Sequence, residues 1–105
     1  MALELHSAFE VGRDDPAFDG HFPGRPILPG VALVARAMDA LQRATATQAS
    51  DWTLESAKFS SPVAPGTRLD MDHRGDASAR VRFEIRAGER LVASGALARR
   101  PRPAP

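Results

Sequence analysis

The chain has 105 residues, the length of one small domain, and its formal net charge at pH 7 is +1. Hydrophobic residues make up 43% and charged residues 26%, which is typical of a globular domain and excludes a disordered chain. There is no cysteine, which excludes disulfides, thiolate nucleophiles and cysteine-ligated metals. The near-neutral charge argues against a nucleic-acid partner.

The longest wholly apolar run, residues 31–35, is far too short to cross a bilayer, so we expect no membrane span. The first residues show no basic region followed by an apolar stretch, so we expect no export signal and predict a cytoplasmic location. Small domains that hold a ligand cavity often borrow surface from a second copy, which leads us to expect an oligomer.

Five segments show the alternation of apolar and polar residues that is typical of β-strands. They are residues 2–11, 52–63, 67–73, 79–87 and 90–99. A change of phase near Ser56 predicts a bulge, Gly88 with Glu89 predicts a tight hairpin, and a turn is predicted over 72–76. Residues 12–30 contain so many prolines and glycines that they predict a long packed loop.

One helix is predicted after this loop, because apolar residues recur at helical spacing from Val31 to Ala44. Its polar edge is narrow and consists of Arg36, Asp39, Gln42 and Arg43. Such a helix needs cover on most of its sides, which predicts an α+β fold with a curved antiparallel sheet around one long central helix. We expect this domain to span residues 1–98 and a flexible Pro- and Arg-rich tail to span 99–105.

The loop that leads into the helix carries the chemistry of the chain. Residues 20–31 read Gly-His-Phe-Pro-Gly-Arg-Pro-Ile-Leu-Pro-Gly-Val, and the prolines restrict the backbone that presents His21. Gly30 has no side chain, so a ligand oxygen can approach its N–H at the positive end of the helix dipole. An imidazole beside such an amide suits proton abstraction next to a thioester carbonyl.

This segment resembles the signature of the hot-dog-fold 3-hydroxyacyl-acyl-carrier-protein dehydratases of fatty acid synthesis. Residues 59–69, which read Phe-Ser-Ser-Pro-Val-Ala-Pro-Gly-Thr-Arg-Leu, resemble the second recurring stretch of that family. The resemblance implies a single hot-dog domain that forms homodimers or trimers of dimers, with sites between two subunits. It also implies a substrate carried on the phosphopantetheine of an acyl carrier protein or coenzyme A, and no separate cofactor.

The resemblance assigns roles to individual residues. His21 matches the catalytic histidine, and Gly30 matches the residue whose N–H binds the thioester oxygen. The residues expected along the substrate are Phe22, Pro29, Val31, Val34, Ala35 and Met38.

One position departs from the family pattern, because Ala35 occupies the place of the acidic residue that protonates the departing hydroxyl. Asp39 lies one turn further on, about 6 Å along the axis, so it needs a water or a shifted substrate to replace that acid. An ion pair with Arg36 or Arg43 is the more ordinary role for Asp39. Three hypotheses stay open: a dehydratase, an acyl thioesterase, and an acyl-thioester-binding subunit that needs a competent partner chain.

The remaining charged residues carry weaker indications. His6 and His73 are expected to be solvated, and the scattered histidines indicate no metal site. Arg80, Arg82 and Arg86 share one face of a predicted strand. That face is either simply solvated or a docking surface for an acidic carrier protein.

Overall fold

The computed structural model of the chain describes residues 2–12 and 30–101. Most of the predicted loop and the last four residues of the predicted tail lie outside these ranges. The elements are β1 (Ala2–Glu10), α1 (Gly30–Thr45), a short 3-10 helix (Ala49–Asp51), β2 (Trp52–Phe59), β3 (Arg68–Asp76), β4 (Arg80–Ala87) and β5 (Arg90–Arg99).

The five strands form one antiparallel sheet in the order β1-β3-β4-β5-β2, so β1 and β2 lie at its two edges. The predicted bulge is confirmed, because the register between β2 and β5 shifts between Leu54 and Ser56. The predicted hairpin at Gly88 and Glu89 is confirmed as well, since these two residues form the turn between β4 and β5. The predicted α+β arrangement of one helix and a single antiparallel sheet is therefore confirmed.

The core lies between α1 and the inner face of the sheet. The helix contributes Leu33, Ala37 and Leu41, which are spaced four residues apart and are at most 2% exposed. The sheet contributes the buried residues of the inner face, among them Leu69, Met71, Val81, Phe83, Ile85, Ala93 and Leu97. The other apolar residues of α1 are half-buried or exposed, so part of its apolar surface is uncovered in this chain.

Two predictions about β3 are wrong. The turn predicted over 72–76 is strand, because β3 pairs with both neighbours as far as Asp76 and the turn follows at 77–79. His73 is not solvated but fully buried. The cause is the alternation of the strand, in which Asp72 and Arg74 point outward and the residue between them must point into the core.

The end of α1 is tied to the start of β2. Ala46 adopts a left-handed conformation (φ 53°), and the N–H of Thr47 donates to the carbonyl of Gln42 at 3.1 Å, as in a Schellman motif. The indole N–H of Trp52 then donates to Thr47 Oγ1 at 2.8 Å. At this same end of the sheet Arg99 of β5 pairs with Trp52, so strand pairing continues past the predicted domain boundary.

Candidate functional site

The start of α1 meets the end of β2. Gly30 is the first residue of the helix, and the ring of Phe59 lies so close that a Cβ at residue 30 would be 2.7 Å from its Cε1 and Cζ atoms. The N–H of Ser60 donates to the carbonyl of Val92 at 2.8 Å, which fixes the backbone beside the ring. The helix N-terminus and an aromatic ring therefore form one corner of the molecule.

Exposed apolar side chains lie at this corner and further along β2. The exposed large hydrophobic residues among those described are Val31 (74% exposed), Phe59 (51%) and Leu54 (44%). Leu54 and Phe59 stand opposite the buried residues Leu97 and Ala93 of β5, so both belong to the inner face of the sheet. Within the described chain, β2 pairs only with β5, and its other edge is free of a strand. An apolar inner face beside an unpaired edge is typical of a surface that another chain covers.

The buried residues of α1, Leu33, Ala37 and Leu41, form a stripe that separates two sides of the helix. The side toward β1, which we name the β1 flank, carries Arg36 and Ala40. The Arg36 guanidinium lies 4.8 Å from the ring centre of Phe9 on β1. At 100° per residue, Val34 and Met38 lie on the opposite side, which we name the β2 flank. Both of these residues are half-buried against the core.

The two candidate acid positions lie on the outward side of the helix. Ala35 is exposed and carries no proton to donate. Asp39 is also exposed, and its Oδ2 lies 3.1 Å from Nε of Arg43, which confirms one of the two predicted ion pairs. Asp39 and Arg43 both line a cleft between α1 and β1. The ion pair thus holds the carboxylate toward the β1 flank, one turn beyond Ala35.

His73 is the buried polar residue that the sequence analysis missed. Its Nε2 donates to the mid-helix carbonyl of Ala37 at 2.9 Å, and its Nδ1 is buried without a hydrogen-bond partner. Burial lowers the pKa of His73, against the opposing effects of the Ala37 hydrogen bond and the charge of Asp72. The imidazole is therefore neutral and ties the centre of α1 to the sheet. The alternation of Leu69, Met71 and His73 was the available signal.

The outer face of the sheet carries the predicted row of arginines. Arg80 makes a bidentate contact with Glu55, through Nε at 2.5 Å and Nη2 at 3.0 Å, and this contact lowers the pKa of Glu55. Arg86 contacts Glu84. Arg82 stands directly opposite Arg74 on β3. Two of the three predicted arginines thus have acidic partners within the chain, which weakens the face as an attractor for an acidic protein.

Several predicted site residues lie outside the described part of the chain: His21, Phe22 and Pro29. Gly30, Val31, Val34, Ala35 and Met38 all lie on α1, between the Phe59 corner and the middle of the helix. Within residues 2–12 and 30–101, no group of three or more His, Asp or Glu side chains could hold a metal ion. No helix in the same ranges is long and apolar enough to cross a membrane.

Comparison with solved structures defines the class of the protein. The chain superposes on the dehydratase heterocomplex ApeI:P from Xenorhabdus doucetiae with a TM-score of 0.76 and 26% identity, over 92% of this chain and 88% of that one. The dehydratase domain of PpsC from Mycobacterium tuberculosis, in complex with C12:1-CoA, gives a TM-score of 0.78 and 25% identity over 97% of this chain and 40% of that one. The protein is a single hot-dog domain, as predicted.

Sequence comparison gives the family. A model described as ApeI-like, ApeI dehydratase, matches residues 2–96, and the chain therefore belongs to the ApeI-like dehydratase family. A curated relative is the 3-hydroxyacyl-[acyl-carrier-protein] dehydratase FabZ of Aliarcobacter butzleri, which is 41% identical over 75 residues, covering 59% of this chain and 50% of the relative. The chain thus spans about half the length of the curated relatives that it matches.

Proposed function

We propose that this protein is a 3-hydroxyacyl-thioester dehydratase subunit that completes its active site with a second hot-dog chain. The observation that supports the proposal is that Gly30 is the first residue of α1, while Ala35 on the same helix has no proton to donate at the position where the resemblance expects the acid. The substrate class follows from the FabZ relatives, whose name describes 3-hydroxyacyl chains on an acyl carrier protein.

The proposed reaction removes water from carbons 2 and 3 of the acyl chain. The N–H of Gly30 donates to the thioester carbonyl oxygen, which makes the C2 proton more acidic. His21 takes that proton, and the C2–H electron pair forms the C2=C3 double bond. The C3–O bond breaks, and the hydroxyl leaves as water once an acid has protonated it. The products are a 2-enoyl thioester and one water.

The acid in this last step is the group that α1 does not provide. Ala35 cannot donate a proton, and Asp39 is paired with Arg43 on the side of β1. A general acid must lie within about 3 Å of the leaving oxygen, or one water away. We therefore assign the proton to a partner chain that carries a carboxylic acid at the matching helix position. The ApeI:P relative, described as a dehydratase heterocomplex, supports a partner of this kind.

The edge of β2 that has no strand beside it in residues 2–12 and 30–101 is the proposed contact with that partner. Pairing along this edge would satisfy its backbone groups and cover Leu54, which is otherwise exposed. In a pair with one acid-bearing chain, one site has both histidine and acid, and the other site faces Ala35. A homodimer, alone or as a trimer of dimers, would have no acid in either site and would dehydrate slowly.

The proposal is tested by measuring interconversion of 3-hydroxyacyl and 2-enoyl pantetheine thioesters. The purified chain should be slow, and the Ala35→Glu variant should be about 10²–10⁴ times faster, because general-acid help contributes that much. Ala35→Gln is the matched control, since it has a similar size but no acidic proton. His21→Ala in the Ala35→Glu background should abolish the gain.

Other results would contradict the proposal in distinct ways. Release of free thiol without an enoyl product would identify a thioesterase. Equal rates for Ala35→Glu and Ala35→Gln would show that residue 35 does not face the leaving hydroxyl.

A further inference from the structure

The contact between Gly30 and Phe59 explains the glycine in a way that the sequence does not suggest. Gly30 has no left-handed φ, so its backbone conformation alone does not require glycine. The space that a Cβ would occupy is filled by the Phe59 ring, whose Cε1, Cζ and Cδ1 atoms would lie 2.7, 2.7 and 2.9 Å away. The missing side chain therefore accommodates the ring, in addition to any ligand oxygen at the N–H.

The Phe59 side chain is half-exposed beside Gly30. Its backbone is fixed by the pairing of residue 59 with Ala93 and by the hydrogen bond from Ser60 to Val92. The ring lies against Gly30 and is 51% exposed. The strand backbone and the contact with Gly30 therefore set where the ring lies.

We propose that Phe59 is a specificity-determining residue, which limits the bulk of the substrate at the carbons next to the thioester. This inference rests on the proposed function, because that function places the carbonyl oxygen at the Gly30 N–H. A carbonyl at that N–H has the ring as a direct neighbour, so substituents on C2 meet Phe59. Val34 and Met38 lie further along α1, and in this placement the more distant carbons run toward them and away from the ring. Phe59 thus selects against branching near the carbonyl and has little effect on total chain length.

The first test concerns the contact itself and needs no substrate. Gly30→Ala should lower the urea midpoint of unfolding, because its new Cβ overlaps the Phe59 ring. In a Phe59→Ala background the same substitution should lower the midpoint much less, because the space is empty. Equal losses in the two backgrounds would show that the ring is not what excludes a side chain at residue 30, and would overturn the proposal.

The second test concerns selection and uses binding, so that it does not depend on turnover. Affinities are measured by calorimetry for butanoyl-, 2-methylbutanoyl- and octanoyl-pantetheine. Phe59→Ala should raise the ratio of 2-methylbutanoyl to butanoyl affinity by about tenfold, the scale at which a pocket discriminates one methyl group. The ratio of octanoyl to butanoyl affinity should stay within about twofold. The matched control is Phe9→Ala, which removes a half-buried ring at the other edge of the sheet and should change neither ratio.

The outcomes separate this inference from the function on which it rests. If the wild-type chain binds no acyl thioester, the proposed function fails, and the selection by Phe59 fails with it. If the wild type binds but Phe59→Ala weakens all three ligands equally, only the inference is wrong. A rise in the octanoyl ratio alone would mean that the ring limits chain length instead of branching, which also overturns it.

Discussion

The two flanks of α1 differ in how the chain covers them. On the β1 flank the helix places Arg36 over Phe9, and Asp39 and Arg43 form an ion pair at 3.1 Å beside the same strand. On the β2 flank the neighbouring strand instead leaves Leu54 and Phe59 exposed. One flank is thus covered by polar and aromatic side chains, whereas beside the other the described residues leave large apolar side chains exposed.

This difference is the reason for placing the proposed partner chain and substrate on the β2 flank. Charged side chains remain solvated at little cost, whereas exposed apolar surface is stabilised when another surface covers it. The helix residues predicted to line the substrate, from Gly30 to Met38, begin at the Phe59 corner. An apolar flank beside a strand whose outer edge is unpaired within the described residues therefore fits a site shared by two chains, and the β1 flank fits an outer surface.

The largest expected effect comes from placing a charge on the open flank. Leu54→Asp should weaken association of the chain, with itself or with an acid-bearing partner, by about 100-fold, because a carboxylate buried in an apolar contact costs on the order of 3 kcal/mol. Sedimentation velocity over a concentration series measures the change. Leu54 is 44% exposed in the single chain, so the fold itself should tolerate the substitution.

Ser56→Asp provides the control for this experiment. It adds the same charge to the same strand, but Ser56 is exposed and stands opposite Ala96 on the outer face of the sheet. Its association should stay within about threefold of wild type, since exposed charges interact weakly. If both variants associate like wild type, the β2 edge is not the contact surface.

A smaller effect is expected on the pH dependence of stability. It comes from His73, which is hydrogen-bonded to the centre of α1 between the two flanks. Burial lowers the pKa of folded His73 below the value of about 6.5 that the unfolded chain has. The unfolded state therefore binds more protons in acid, and the stability due to this group is lost as pH falls below about 6.5. The free energy of unfolding should fall by at most about 1.4 kcal/mol per pH unit of acidification. The fall should end once the pH is below the lowered pKa.

His73→Gln isolates this contribution. Glutamine can donate a hydrogen bond to the Ala37 carbonyl but does not titrate. Urea unfolding at pH 8, 7, 6 and 5 should show a wild-type stability that falls faster than that of the variant. Parallel curves would mean that the folded imidazole can take up a proton without penalty, in conflict with its unpartnered Nδ1.

The sheet could be predicted from the sequence because its signals are local. Strand β4 alternates strictly, from Arg80 to Ala87, and its side chains alternate between exposed and buried up to Ile85. The bulge near Ser56 and the hairpin at Gly88 likewise depend on a few neighbouring residues. Such features appear in the folded structure as predicted because the strand register that they set also buries the apolar face of the sheet.

The contact between Gly30 and Phe59 and the hydrogen bond from His73 to Ala37 could not be predicted in the same way. Gly30 and Phe59 are 29 positions apart in the chain, and no local pattern connects them. The charged neighbours of His73 suggested a turn, although the same alternation that buries Met71 also buries His73. A cluster of charged residues indicates a solvated turn only where the strand has already ended. Strand β3 continues to Asp76, so these residues do not form a turn.

The smallest effect is expected on the β1 flank, and it tests whether Asp39 belongs to the reaction. The Asp39 and Arg43 side chains are 60% and 80% exposed, so Asp39→Asn should change the free energy of unfolding by no more than about 0.5 kcal/mol. Dehydration by the Ala35→Glu variant should change less than twofold when Asp39→Asn is added, because the proton then comes from residue 35. In the wild-type background, Asp39→Asn should leave the slow dehydration rate unchanged. A loss of 10² or more there would make Asp39 the proton donor through a water, and the β1 flank would then be part of the active site.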